Sequence, residues 1–297
     1  MRSKVVMQAP AKINLYLEVG PRRQDGFHAV RTVLQTVDLC DMVEVEVADG
    51  GEGITMAVVG EAPAGEDNLC HRAASAFMEA TRQRLGVEIR LTKFIPPAAG
   101  LGGGSADAAA VLRALNFFSG EALSRGDLLR TAASLGSDVP FFLVGGTALG
   151  EGRGERITPL TQAPPLAVVL ANPGMGLSTS EVYARFDSLG EGEPPQQGPA
   201  ELIEGLARGD AARIAPLLYN ALQPAACDMS PQVAALLDEA SRAGAAGALV
   251  SGSGPTVFLL AADDYEAEGL EKRMREAAPL VWRTNFRSAG VSPPQDA

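Results

Sequence analysis

Alternation of apolar and polar positions marks Ile13–Val19 (INLYLEV) and Met42–Val47 (MVEVEV) as strands, and Ile54–Val59 and Val87–Leu91 follow by β-branched content and alternation. A helical stripe of Leu69, Ala73, Ala76, Phe77 and Ala80 predicts a helix over 68–85, with Asp67 or Asn68 as its cap. Ala109, Leu112 and Leu115 predict a second helix over 105–118, with Ser105 as N-cap, and a third spans 126–135. Thr147–Gly150 and Glu155–Thr158 flank Glu151-Gly152-Arg153-Gly154 as a hairpin. A polar, Gly/Pro-rich stretch over 188–199 reads as an exposed loop. Beyond it come helices over 200–208, 211–218 and 232–243, strands over 248–251 and 256–260, a helix over 265–277 and a strand over 281–286. The last residues, 293–297, form a polar tail with little to bury. Early strands come in neighbouring pairs, which predicts an α+β protein with antiparallel content rather than a uniform βαβ repeat.

Composition narrows the function classes. A chain of 297 residues has room for two domains, and no apolar run approaches a membrane span or a secretory signal, so the cytoplasm is the expected location. A net charge of −11 argues against nucleic acid or an anionic membrane as partner, because both need a basic field. Cys40, Cys70 and Cys227 are scattered and odd in number, and His28 and His71 are the only histidines, so neither disulfides nor a zinc or multi-histidine metal centre is expected.

The candidate chemistry starts at Pro96-Pro97-Ala98-Ala99-Gly100-Leu101-Gly102-Gly103-Gly104-Ser105-Ala106, a glycine loop running into an Ala-rich helix. Glycines let backbone N–H groups approach an anion, and the helix N-terminus adds unpaired N–H groups and a positive dipole end, so the junction suits phosphate. No Gly-Lys-Ser/Thr follows, and the spacing is not Gly-x-Gly-x-x-Gly, so the two commonest nucleotide fingerprints are excluded; tight packing alone is the competing reading. Lys12 and Asn14, two residues apart on a strand, face one side; they point either into a cleft or out from a solvated edge strand. Asp138, between a helix end and the apolar run Val139–Val144, is either a base or a turn and cap residue. Ser251-Gly252-Ser253-Gly254 is a second glycine turn, and Phe27, His28 and Tyr183 offer rings suited to stacking on a base or to a core.

Taken in order, Pro10-Ala11-Lys12-Ile13-Asn14-Leu15, the Pro96–Ala106 loop and Ser251–Gly254 resemble the three motifs of the GHMP kinase superfamily. Arg23–His28, Thr32, Gln35, Asp38–Asp41, Glu66–Leu69 and Gly136–Phe141 are similar to the members that phosphorylate a cytidine diphosphate methylerythritol. The similarity spans the chain except between about residues 188 and 246. It implies a two-domain α+β GHMP kinase fold, an N-terminal ribosomal-protein-S5-domain-2-like layer over 1–160 and a C-terminal ferredoxin-like layer over 161–297. It also implies transfer of a phosphoryl group from ATP, with magnesium whose ligands stay unassigned, to the 2-hydroxyl of the methylerythritol unit. That reaction belongs to the non-mevalonate isoprenoid route of bacteria and plastids; the implied protein is a bacterial cytoplasmic monomer or homodimer. Residue by residue, the resemblance implies Lys12 and Asp138 as catalytic and Asn14, Phe27, His28, Thr179 and Tyr183 as substrate-binding. ATP is assigned to Pro96, Pro97, Ala98, Ala99, Gly100, Leu101, Gly102, Gly103, Gly104, Ser105 and Ala106, with Asn68 and Lys93 near adenine. Phe27 stands where the family usually carries tyrosine, and Ser105-Ala106 where it carries two serines. A homoserine- or mevalonate-type kinase and a non-catalytic nucleotide-binding protein are the alternatives.

Overall fold

The computed structural model describes residues 2–48, 51–190, 195 and 198–296. Of the loop expected over 188–199, residues 191–194, 196 and 197 lie outside the described residues, as does Ala297 of the tail. The chain opens with two strands of 21 residues each, β1 (Arg2–Arg22) and β2 (His28–Ala48), paired antiparallel along almost their whole length. They are far longer than alternation alone predicts, because β1 is buried on both faces through its centre and polar positions there do not mark solvent. β3 (Gly53–Val59), α1 (Leu69–Thr81), β4 (Gly86–Thr92), α2 (Gly103–Phe118), α3 (Arg125–Leu135) and α4 (Val139–Val144) follow. The expected hairpin is present as β5 (Thr147–Gly152) and β6 (Arg156–Pro159). β4 and β5 both pair with β2, at its two ends.

The second half runs β7 (Ala167–Asn172), α5 (Thr179–Leu189), α6 (Ala200–Arg208), α7 (Ala211–Ile214), β8 (Tyr219–Asn220), α8 (Gln223–Met229), α9 (Pro231–Arg242), β9 (Gly247–Val250), β10 (Val257–Leu260), α10 (Asp264–Ala277), β11 (Leu280–Arg287) and β12 (Gln295–Asp296). Four of its strands pair antiparallel in the order β11-β7-β10-β9, with the first strand of the set between the last and the third, which is the ferredoxin-like arrangement. The end of β11 crosses to the first sheet, where Phe286 and Arg287 pair with Val37 and Thr36, and β12 pairs with β1.

Three apolar clusters fill the molecule. One lies under β1, β2 and β4 against α1, α2 and α4, a second between the ferredoxin-like sheet and α5, α8, α9 and α10. The third, with Ile13, Val33, Leu101, Leu170 and Phe258, joins the two sheets. Pairing in the β1–β2 ladder slips between Asn14 and Tyr16, leaving Leu15 as a bulge. The bulge turns the strand's alternation, so that Lys12 and Asn14 before it and Leu17 after it reach the same cleft while Ile13, Leu15 and Tyr16 enter the core.

Candidate active site

A cleft of about 1000 Å³ collects residues from both halves of the chain. One of its walls is the glycine loop. Pro96 to Gly100 and Gly102 to Ser105 line the cleft, whereas Leu101 and Ala106, expected there as well, are buried in the core and secure the loop from behind. The helix begins at Gly103, with Gly102 as N-cap in the left-handed region (φ 72°), so Ser105 lies inside the first turn of α2 rather than capping it. Gly100 (φ 76°) packs so closely on the second glycine turn that a Cβ would collide with the Ser251 carbonyl oxygen. A Cβ at Gly102 would sit 2.8 Å from the Phe142 ring and 3.1 Å from Lys12 Cγ. The same glycines therefore pack tightly and line the cleft. Asn220 Nδ2 donates to the carbonyls of Val250 and Gly252 at 2.7 and 2.8 Å and holds the second turn in place.

Lys12 is not on a solvated edge; it is 4% exposed, and its backbone N–H donates to Leu101 O at 2.9 Å. Its ammonium donates to Asn14 Oδ1 at 2.5 Å and stands 3.7 Å from Asp138 Oδ2. Asn14 Nδ2 donates to Thr32 Oγ1 at 2.8 Å, and Thr32 donates to Tyr16 O, so the amide is fixed with its oxygen toward the lysine. Burial pushes the Lys12 ammonium below the ordinary lysine range while Asp138 pulls it back. Asp138 occupies the N-cap position of α4 but makes no side-chain cap bond. Its carboxylate, 37% exposed, serves the cleft instead.

Asn68 caps α1, accepting from Cys70 N at 2.8 Å and donating to Pro63 O, and it lines the cleft from that position. The Lys93 ammonium is held by two carboxylates, Asp41 and Asp107, the latter at 2.8 Å. Asp41 also accepts from the backbone N–H groups of Phe94 and Ile95 at 2.6 and 2.9 Å, fixing the segment that enters the glycine loop. Burial works against the Lys93 charge, but Asp107 and Asp41 outweigh it and hold its pKa above the ordinary value. Burial, with Asp41 adding, pushes the Asp107 carboxyl up to about 7 despite the lysine, and its Oδ1 is buried without a partner among the described residues.

At the other end, α5 turns Thr179 and Tyr183 into the cleft. The Tyr183 ring lies 5.3 Å from that of His28, tilted by 33°, and burial raises its phenol, with the Asp138 charge contributing. Phe27 is half exposed with the Arg153 guanidinium 4.9 Å from its centroid. Phe27 and Tyr183 both line the cleft, and each ring also has a protein partner. Thr179 Oγ1 lies 3.0 Å from Ser253 Oγ and ties α5 to the second glycine turn. Sequence reasoning missed Asp41, Asp107, Arg153, Asp187 and Asn220. The signal for α5 was present: Ser178 stands three residues before Glu181, a capping box, and its Oγ accepts from Glu181 N.

Comparison with known proteins agrees with this layout. The description "GHMP kinases N terminal domain" matches residues 68–146, and "GHMP kinases C terminal" matches 202–280. The chain is 48% identical over 280 residues to the 4-diphosphocytidyl-2-C-methyl-D-erythritol kinase of Pelotomaculum thermopropionicum, covering 93% of this chain and 96% of that protein. It is 42% identical to the same enzyme of Shouchella clausii, covering 99% and 98%. A crystal structure of 4-(cytidine 5'-diphospho)-2C-methyl-D-erythritol kinase superposes with a TM-score of 0.79 at 36% identity, over 96% of this chain and 99% of that one. Homoserine kinase from Cytophaga hutchinsonii shares the fold, with a TM-score of 0.76 at 22% identity over 98% of each chain. The chain belongs to the GHMP kinase family and, within it, to the 4-diphosphocytidyl-2-C-methyl-D-erythritol kinases.

Proposed function

We propose that this chain transfers the γ-phosphoryl group of ATP to the 2-hydroxyl of 4-diphosphocytidyl-2-C-methyl-D-erythritol, giving the 2-phosphate and ADP, a step toward isoprenoid precursors. The observation that carries the reading is the buried Lys12 ammonium beside the cleft-exposed carboxylate of Asp138, 3.7 Å away. The 2-hydroxyl oxygen bonds to the γ-phosphorus, the bond from that phosphorus to the β–γ bridging oxygen breaks, and the hydroxyl proton passes to Asp138. Lys12 faces the charge growing on the alkoxide from 3.7 Å behind the Asp138 carboxylate. Asn14, bonded to Lys12 on one side and Thr32 on the other, directs the ammonium and meets the polyol. The loop residues from Pro96 to Ser105 surround the ATP phosphates through backbone N–H groups, and the adenine lies toward Asn68 and Lys93. Phe27, His28, Thr179 and Tyr183 receive the cytidine end.

Magnesium would supply charge neutralisation on the phosphates. Among the described residues no group of three His, Cys, Asp or Glu side chains could hold a metal, and Ser105, in the first turn of α2 and lining the cleft, is the hydroxyl that would meet the ion beside the phosphates. We divide the chain into two domains at residue 160, a reading supported by the segment between β6 and β7, although the end of β11 and β12 pair with strands of the first half. Phosphorus NMR of the product tests the reaction: a new monoester signal coupled to the methylerythritol carbon bearing the 2-hydroxyl is expected, and a phosphate on any other oxygen contradicts it.

A further inference from the structure

Helix α5 offers the cleft a residue on each of three successive turns: Thr179, Tyr183 and Asp187. The third belongs to no motif. Its Oδ1 lies 3.2 Å from His28 Nε2, its side chain is 37% exposed, and Oδ2 has no partner among the described residues. The His28 ring, in contrast, is packed between protein groups. Nδ1 lies 3.0 Å from Gly20 O, which only accepts, so Nδ1 donates there, and Nε2 stands 3.2 Å from Asp187 Oδ1. One face of the ring lies on Tyr183, and Phe186 meets it edge-on at 6.1 Å. Both imidazole nitrogens face protein oxygens, and the polar group with an unpartnered atom beside the histidine in the cleft is the carboxylate.

A carboxylate accepts and never donates when ionised. A pyrimidine edge brought against Oδ2 must therefore present a donor there, as the 4-amino group of cytosine does. Uracil presents an oxygen at that position, leaving a carboxylate facing a carbonyl with both unpaired. The neighbouring cleft cations, Arg22 and Arg153, carry only donors and so cannot accept from an amino group. We propose that Asp187 is the specificity-determining residue for the base, accepting a hydrogen bond from the 4-amino group of a cytosine while His28 and Tyr183 hold it in place. The proposal rests on the cytidine reading of this cleft.

The test reads binding rather than turnover, so that a failure of the phosphoryl-transfer reading is seen separately in an activity assay. Calorimetric titration of the full chain with 4-diphosphocytidyl-2-C-methyl-D-erythritol and with its uridine counterpart, without ATP, gives the base preference of the wild type, Asp187→Asn and Asp187→Ala; titration with ATP reports on the fold. The wild type is expected to bind the cytidine compound about 100-fold more tightly, the upper part of the range for a paired against an unpaired base edge. In Asp187→Asn, whose amide offers both a donor and an acceptor, the ratio is expected to fall below about tenfold with ATP binding unchanged. A ratio kept in both variants overturns the proposal, and it is the result expected if Asp187 only steadies His28.

Discussion

Ser251 Oγ donates to Gly100 O at 3.0 Å, joining two glycine turns that stand 151 residues apart in the chain. Thr256 N donates to Ala99 O at 3.3 Å in the same contact, so this wall of the cleft is one unit made by both halves of the molecule.

That contact predicts opposite outcomes for two Gly→Ala changes in one loop. Gly100→Ala places a Cβ against the Ser251 carbonyl at φ 76° and is expected to cost about 2–4 kcal/mol, from strain together with displacement of the second turn. Gly104→Ala meets only Leu69 Cδ1 at 3.6 Å within the first turn of α2, and is expected to stabilise the protein by about 0.5–1 kcal/mol. Urea denaturation of both variants measures this. ATP affinity is expected to fall in both, because the added methyl of Gly104→Ala enters the cleft.

Asp138→Asn keeps the side-chain shape and makes no change to any cap bond. It is expected to lower kcat by about 10²–10⁴-fold, the usual share of a general base, with the KM for ATP within about twofold of the wild type. Steady-state kinetics in both substrates measures the split, and kcat retained within tenfold would remove Asp138 from the base role.

Asp107 gives the stability a pH dependence whose sign is fixed. An unfolded aspartate releases its proton near pH 4, whereas burial holds the folded one to about 7. Between those values the folded chain binds more protons than the unfolded chain, so stability from this group is fully present below about pH 4, declines as pH rises and is gone above about 7. Asp107→Asn lacks the titration. Its Tm relative to the wild type is therefore expected to rise as pH goes from 5 to 8, which a series of thermal melts checks; a difference that is flat with pH would place the Asp107 carboxyl in the ordinary range.

Removing Asp41 leaves two loop N–H groups without their acceptor and the Lys93 ammonium with Asp107 alone, and Asp41→Ala is expected to destabilise by about 3–5 kcal/mol. Chemical denaturation measures it, and a loss below about 1 kcal/mol would mean that Asp107 alone suffices to pair the lysine.

How much of this was legible follows from what each residue touches. The hairpin at Gly152–Gly154 and the helices over α1, α9 and α10 announce themselves because one face is apolar and the other is wet. β7 escapes alternation because all six of its residues are buried, and β2 because Gln35 and Thr36 are polar yet buried, bonded to the Arg287 carbonyl. Lys12, Asn14 and the glycine loop were readable because cleft chemistry needs those residue types at those spacings. Asp187 was not, because its meaning comes from His28, 159 residues away in the chain and brought beside it only by the fold.

The central claim, transfer of a phosphoryl group to a cytidine-bearing alcohol, is tested most directly by ADP release from purified protein with ATP and magnesium. The acceptors to compare are 4-diphosphocytidyl-2-C-methyl-D-erythritol, the same polyol without cytidine, homoserine and mevalonate. Turnover with the cytidine compound and at least about 10³-fold less with the others is the predicted result, since the smaller acceptors forgo all binding at the Phe27–Tyr183 end of the cleft. Comparable turnover with homoserine or mevalonate, or none with the cytidine compound by protein that binds ATP, would contradict it.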